Sequence, residues 1–215
     1  ASGEAVPSPN VIFVLVDDVG MNDMGPSSTD LSGLTPFIDS LAADGVRISK
    51  YYTNEICTPS RASLMTGRDT FRTGMQYEEI QSYQPWGLPL SEATLAQRFK
   101  AAGYSTHMAG KWNLGNYAEQ YYPFNRGFDT FLGYMGAQET YYGHAWGGYK
   151  DFGYGDEDGY LNTSANTTRW GPELEGYYST SMTGDRAIQV AQAHKEASTD
   201  GTEVPLFMYL AFQVS

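Results

Sequence analysis

The chain has 215 residues, enough to bury one sizeable core and of a length that suits a single α/β domain. Its 13 basic against 25 acidic residues give a formal net charge of −12, which argues against a nucleic-acid binder with its basic face yet leaves room for a locally positive pocket that takes an anion. No apolar run reaches membrane-spanning length and no signal peptide is visible, while a single cysteine, Cys57, excludes an internal disulfide.

Residues 1–9, with Pro7 and Pro9 among small polar neighbours, read as an irregular lead-in. The run from Asn10 to Val16 is continuous, apolar and β-branched, which predicts a strand buried on both faces of a parallel sheet. It ends in Asp17-Asp18-Val19-Gly20. Two carboxylates at the carboxyl end of such a strand lie where open α/β sheets keep their ligands, and as hard oxygen donors they suit Ca²⁺ or Mg²⁺. Standing alone, the pair reads more readily as a solvated turn with Asp as a local cap. Thr35-Pro36 opens a helix through Ala43 with Phe37, Ile38 and Leu41 on one face and Gly45 closing it. Val46 to Tyr52 then reads as a strand that delivers the chain to Cys57.

Cys57 stands where a helix should begin: Thr58 is a suitable N-cap, Pro59 suits the first helical position and Gly67 closes the C-terminus. That puts the thiol at the positive end of a helix with Arg61 one turn in, an arrangement that attracts anions. A free cysteine is more often a small core residue, but Thr58, Ser60 and Arg61 are polar company for one. Ser91 predicts the cap of a helix through Ala102, with Leu95 and Phe99 inward and Gly103 ending it. Tyr104 to Ala109 predicts a strand that brings Gly110-Lys111-Trp112-Asn113-Leu114-Gly115 to the same sheet edge; outside that setting Lys111 reads as a surface lysine. Residues 145–180 are rich in Gly, Tyr and Asp and read as a long surface excursion of one domain over 10–215. Ordinary aromatic packing explains the tyrosines there, and a carbohydrate-facing role is the alternative. Asn162-Thr163-Ser164 and Asn166-Thr167-Thr168 are glycosylation sequons if the protein is secreted. Of the three histidines, His107 falls in a strand and His194 on a helix, both structural, while His144 ends an aromatic loop and is a candidate for substrate contact. Thr183 to Ala197 predicts a helix and Val204 to Phe212 another fully apolar strand.

Cys57-Thr58-Pro59-Ser60-Arg61, followed by a small-residue helix and Thr66-Gly67-Arg68, resembles the signature of the type I sulfatases. Gly110 to Gly115 resembles that family's Gly-Lys-Trp-His-Leu-Gly, with Asn113 in the histidine position, and Arg126 to His144 resembles its arylsulfatase B-like branch, the 4-sulfatases of N-acetylgalactosamine. The likeness is close over residues 10–144 and looser over 169–213. It implies an alkaline-phosphatase-like α/β fold, a mostly parallel sheet flanked by helices, incomplete at its C-terminus. It also implies hydrolysis of a sulfate ester on a sulfated small molecule or glycan. In the mechanism so implied, a formylglycine-generating enzyme oxidises Cys57 to Cα-formylglycine, whose hydrate is the nucleophile. Ca²⁺ sits on Asp17, Asp18 and residue 57, Arg61 holds the hydrate, and Lys111 binds the sulfate. The family setting is the secretory pathway, lysosomal or extracellular, or the periplasm of a bacterium. Asn113 can hydrogen-bond but has no usable pKa for taking a proton, so slow turnover is expected, with Asn113→His raising the rate. The alternatives are a weakly catalytic binder of sulfated ligands and a phosphodiesterase or phosphonate hydrolase of the same superfamily. In the family, a sulfate-binding histidine, an Asp-Asn pair and a second lysine follow the strand that matches 204–212, so this chain reads as the amino-terminal part of a longer protein.

Overall fold

Val11–Val16, the apolar run after Asn10, forms β1. A computed structural model describes residues 8–156, 159–162, 175–198 and 204–213. Four helices follow β1: α1 (Pro36–Asp44), α2 (Cys57–Thr66), the single turn α3 (Thr70–Thr73) and α4 (Leu95–Ala101). Then come β2 (Ser105–Lys111), β3 (Thr130–Tyr134), the short hairpin β4 (Ala145–Trp146) and β5 (Tyr149–Lys150), β6 (Phe152–Asp156), β7 (Gly159–Asn162), α5 (Ser179–Ala197) and β8 (Leu206–Phe212). The main sheet runs β1-β8-β2-β3-β6-β7. Its first four strands are parallel and its last two antiparallel.

β8 is the spine of the core. Paired on both edges, it can bury both faces, and its side chains divide with the period of a strand. Phe207, Tyr209 and Ala211 join Met65, Trp112, Phe128 and Phe131 on one face. Leu206, Met208 and Leu210 meet Val190 of α5 on the other. Phe207 stacks on Phe99 of α4 with ring centroids 4.1 Å apart, which fixes that helix against the sheet.

Several expectations fail for tertiary reasons. β1 is buried on one face only: Phe13 and Leu15 pack on the core, while Ile12 and Val14 are about half exposed. Among the described residues β1 is an edge strand, and its second face is only partly covered, with Ile12 lining a cavity beside Ala191 and His194 of the later helix. The expected inward face of α1 is solvent-exposed at Phe37 and Leu41, and that helix has no buried residue. Val46 to Tyr52 forms no strand, because no neighbour offers it a ladder. α4 starts three residues later than the Ser91 cap predicts. Thr94 and Gln97 form a capping box there: the Thr94 hydroxyl accepts from Gln97 N at 3.1 Å and Gln97 Oε1 accepts from Thr94 N at 2.9 Å. Part of the expected surface excursion instead extends the sheet, as β6 pairs with β3 and β7 with β6. The sequons fall outside the described residues apart from Asn162, which closes β7.

Two buried groups set opposing pH dependences. His107, on β2, shares its ring nitrogens with Ser105 and Thr130 at 2.8 Å each, and burial drives its pKa down to about 4. The unfolded chain therefore takes this proton first, so His107 withdraws stability as pH falls from about 6.5 to about 4. Asp151 accepts from Gly136 N at 2.7 Å, and burial, with Glu139 nearby, raises it to about 7. Here the folded chain binds the proton first. The Asp151 contribution is full below the ordinary carboxylate range and is lost as pH rises through about 7. Removing this offset with Asp151→Asn is expected to make the urea midpoint fall more steeply between pH 7 and 4 than in the wild type. Parallel profiles would contradict the assignment.

Candidate active site

The carboxyl ends of β1 and β2 flank that of β8, and α2 begins beside them, so three loops supply one pocket. α2 starts at Cys57 with extended Ile56 as its N-cap, and it closes on Gly67, whose left-handed N–H bonds Ser63 O at 2.8 Å. Thr58 is therefore not the cap. It is fully buried, donates to Asn113 Oδ1 at 2.7 Å and accepts from Ile80 N at 2.9 Å.

Lys111, the last residue of β2, is buried and places Nζ 2.6 Å from Asp17 Oδ2 and 2.9 Å from Cys57 Sγ. Asp17, just past β1, also lies 3.5 Å from Cys57 Sγ through Oδ1. Arg61, one turn into α2, is 1% exposed. Its NH1 donates to Lys111 O at 2.8 Å and to the Tyr209 hydroxyl at 3.2 Å, and NH2 stands 3.4 Å from Asp17 Oδ2. Nε and NH2 nonetheless make no hydrogen bond. Such unfilled donors on a buried guanidinium are a prepared anion contact, since buried polar groups are normally satisfied.

Two cations and a helix start thus surround one carboxylate. Burial would raise the Asp17 pKa, but Arg61 and Lys111 outweigh it and hold the carboxyl below its ordinary value. Burial pushes the Cys57 thiol up to about 11, against the pull of Lys111, with the Asp17 charge and the Glu79 carboxylate hydrogen-bonded to it adding to the rise. Unmodified Cys57 is therefore a neutral thiol at physiological pH. Burial also keeps the phenols of Tyr134 and Tyr209 protonated beside Arg61.

Of the sequence-predicted residues, Asp17, Cys57, Arg61 and Lys111 converge. Asp18 is the next residue along, exposed and in a left-handed conformation at φ 55°. The donor chemistry of the Asp17–Asp18 pair fits Ca²⁺, being two hard carboxylates, although that ion takes roughly six to eight oxygens. Among the described residues no three His, Cys, Asp or Glu side chains form a group able to hold a metal. Asn113 spends its amide on Thr58 and Ile80. Fully buried at φ 55°, it gives Oδ1 to Thr58 and donates from Nδ2 to Ile80 O at 2.9 Å. An imidazole in this fully buried place would give up the amide's bonds to Thr58 and Ile80 and need more room, so Asn113→His is expected to lower stability by about 1–3 kcal/mol without raising the rate, as thermal melts and turnover on one preparation will show. His144 was expected to contact substrate. It is fully buried, 3.5 Å from Glu139 through Nδ1 and packed on Phe152 with ring centroids 4.8 Å apart. Sequence reasoning missed Thr58, Tyr134, Tyr209 and Glu79, because each acquires its role from a distant partner rather than from a local pattern.

The chain matches the family model described as Sulfatase over residues 9–213. Arylsulfatase J of Mus musculus is 42% identical over 207 residues, covering 95% of this chain and 32% of that protein. Arylsulfatase A of Homo sapiens is 44% identical over 140 residues, covering 62% and 27%. Among solved structures, Ps i-CgsB in complex with k-i-k-neocarrahexaose superposes with a TM-score of 0.78 at 24% identity, over 97% of this chain and 45% of that one. The PsFucS1 sulfatase from Pseudoalteromonas sp. gives 0.72 at 25% identity, over 96% and 44%. The chain spans less than a third of the length of either arylsulfatase.

Proposed function

Because this chain belongs to the sulfatase family and has its alkaline-phosphatase-like α/β fold, we propose that the protein hydrolyses a sulfate ester, on a sulfated carbohydrate or an aryl alcohol. The observation that carries this reading is Arg61, buried in the cluster of Asp17, Cys57 and Lys111, with Nε making no hydrogen bond and NH2 held only by the Asp17 ion pair. Oxidised to Cα-formylglycine by a formylglycine-generating enzyme, residue 57 supplies the nucleophile, and Ca²⁺ on Asp17 and Asp18 supplies a Lewis acid and template. Lys111 Nζ, 2.9 Å from the residue-57 side chain, and the Arg61 guanidinium offset the charge that builds on the sulfuryl oxygens. Asp17 stays ionised between the two cations and cannot hold the proton of the reaction, which leaves it to orient residue 57 and the metal.

The k-i-k-neocarrahexaose held by one structural neighbour supports a glycan as substrate, and the run Arg126 to His144 favours the arylsulfatase B-like branch. Among the described residues no helix is long and apolar enough to cross a membrane; the two sequons support passage through a secretory pathway, or export to a periplasm if the source is bacterial. The test uses full-length protein made with a formylglycine-generating enzyme. It compares release of 4-nitrophenol from the sulfate ester with release from the phosphate and phosphonate esters, beside the mass of the residue-57 peptide. Preference for sulfate is expected. Preference for a phosphorus ester would move the protein to the phosphodiesterase or phosphonate hydrolase class, and a modified protein that binds but never releases 4-nitrophenol would be a sulfated-ligand binder.

A further inference from the structure

We propose that Tyr142 and Tyr178, with Trp146 beside them, form an aromatic subsite that holds the sugar rings adjoining the sulfated residue of a glycan substrate. The inference rests on the proposed hydrolysis and narrows it to a chain of sugars rather than a lone aryl sulfate. These rings do not serve as core packing. Tyr142 is 58% exposed, Trp146 48% and Tyr178 39%, whereas Phe128, Phe131 and Phe207 of the core are fully covered. Tyr178 meets Tyr142 with ring centroids 5.5 Å apart and planes tilted by 32°, and it meets Tyr141 at 5.2 Å. Rings left this open gain little from their own fold. They offer flat apolar faces with a polar tip, which suit the C–H face and the rim hydroxyls of a pyranose.

The backbone holds these rings in place. Tyr142 O accepts from Gly176 N and Tyr141 O from Ser179 N, each at 2.9 Å, so two bonds lock the loop after β3 to the start of α5. His144 N donates to Thr140 O at 2.9 Å and Thr140 N to Ala145 O at 3.0 Å, a turn that carries Trp146 out on the β4–β5 hairpin. Beneath it Glu139 and His144 are buried 3.5 Å apart, a polar anchor that the proposed chemistry does not use. Rings fixed before the ligand arrives lose little freedom on binding.

The same loop is continuous with the anion pocket. It leaves the sheet at Tyr134, the ladder partner of Lys111. Glu139 O accepts from Gln213 Nε2 at 2.8 Å, and Gln213 follows Phe212, whose carbonyl accepts from Asp17 N at 3.2 Å. Pocket and rings therefore share the carboxyl ends of β3 and β8. Charge favours sugar faces over further sulfates as the occupant, because Lys150 of the hairpin is already paired with Glu175 at 3.2 Å.

The experiment uses full-length modified protein with a chondroitin 4-sulfate hexasaccharide, its disaccharide and 4-nitrophenyl sulfate. Wild type should prefer the hexasaccharide to the disaccharide by about 10-fold in kcat/KM, through KM, and keep that ratio in about 0.5 M NaCl, where exposed charges are screened. Tyr142→Ala should bring the ratio close to one by raising KM for the hexasaccharide, and Tyr142→Phe, which keeps the ring face, should restore it. If Tyr142→Ala does not fold, Tyr178→Ser serves, since serine is a favourable cap at the start of α5, and it should flatten the ratio likewise. A ratio that survives loss of either ring, or that vanishes in salt, overturns the subsite. So does a Tyr142 variant that alters the oligomeric state and not the ratio, which would make this face a protein contact. Wild type that cleaves 4-nitrophenyl sulfate but treats the two saccharides alike, or cleaves neither, overturns the subsite and leaves the hydrolysis standing. Wild type that cleaves none of the three overturns the hydrolysis, and this inference with it.

Discussion

Protein whose Cys57 remains a thiol is expected to hydrolyse sulfate esters at least about 10³-fold more slowly than protein modified at that residue, and Cys57→Ala should fall to the same floor. The reason is electrostatic. A thiol with a pKa of about 11 leaves only about one part in 10⁴ as thiolate at pH 7, which makes the unmodified residue a poor nucleophile. Burial is the main cause, with the Asp17 and Glu79 carboxylates adding to it and Lys111 opposing them. Iodoacetamide provides the check. Alkylation of unmodified Cys57 should be slow at neutral pH and climb towards pH 11, whereas a free thiol titrates near 8.5. Fast labelling at pH 7 would show an ionised sulfur and sink the argument. Cys57→Ala should keep its thermal melt near wild type, which separates lost chemistry from lost fold.

Gly110→Ala should cost about 3–5 kcal/mol, a large share of the roughly 5–15 kcal/mol that holds a domain together. Gly110 sits inside β2 at φ 102°, and a Cβ there would run into the carbonyl of Ala211 on β8. That carbonyl belongs to the spine of the sheet and cannot swing aside as a side-chain tip would. The neighbouring strand repeats the constraint: a Cβ on Gly133, at φ 155°, would strike the carbonyl of its ladder partner Gly110. Since Lys111 is the next residue, any shift that relieves the clash also moves the ammonium away from Asp17 and Cys57. Gly103→Ala is the control. It shares a left-handed φ, at 86°, but meets nothing within 4 Å, so it should lose only the conformational term of about 1–2 kcal/mol. Equal urea midpoints for the two variants would refute the backbone clash.

What could be read from the sequence was local chemistry. Cys57 and Arg61 share one helix turn, Lys111 ends the strand expected after Tyr104, and Val204 to Phe212 is apolar throughout because both faces of β8 are covered. What could not be read was the identity of the partner. The apolar Ile12 and Val14 look core-bound but stay about half exposed, and Val46 to Tyr52 has strand-forming residues but no ladder. Glu79 lies in a stretch with no periodicity, and its nearness to Cys57 depends on Thr58 and Asn113, one at each side of Ile80. Asn113 sat at the expected place in its motif, yet its amide turns towards the Ile80 backbone, a choice made by a contact 33 residues away. Ser91 lost the capping role to Thr94 because only the later residue has Gln three positions on.

The strand order β1-β8-β2 carries a consequence for synthesis. Leu206 N reaches back to Asn10 Oδ1 across a separation of 196 residues, and until β8 emerges from the ribosome β1 and β2 have no strand in common. Asp17 and Lys111 therefore belong to two unjoined halves of a nascent chain, each with an unpaired edge open to wrong neighbours. Closure of so long a loop is slow compared with hairpin or helix formation. The anion pocket is among the last features to exist, and a ribosome stalled ahead of residue 206 would hold a chain with Asp17, Cys57, Arg61 and Lys111 made, Tyr209 still to come and no pocket.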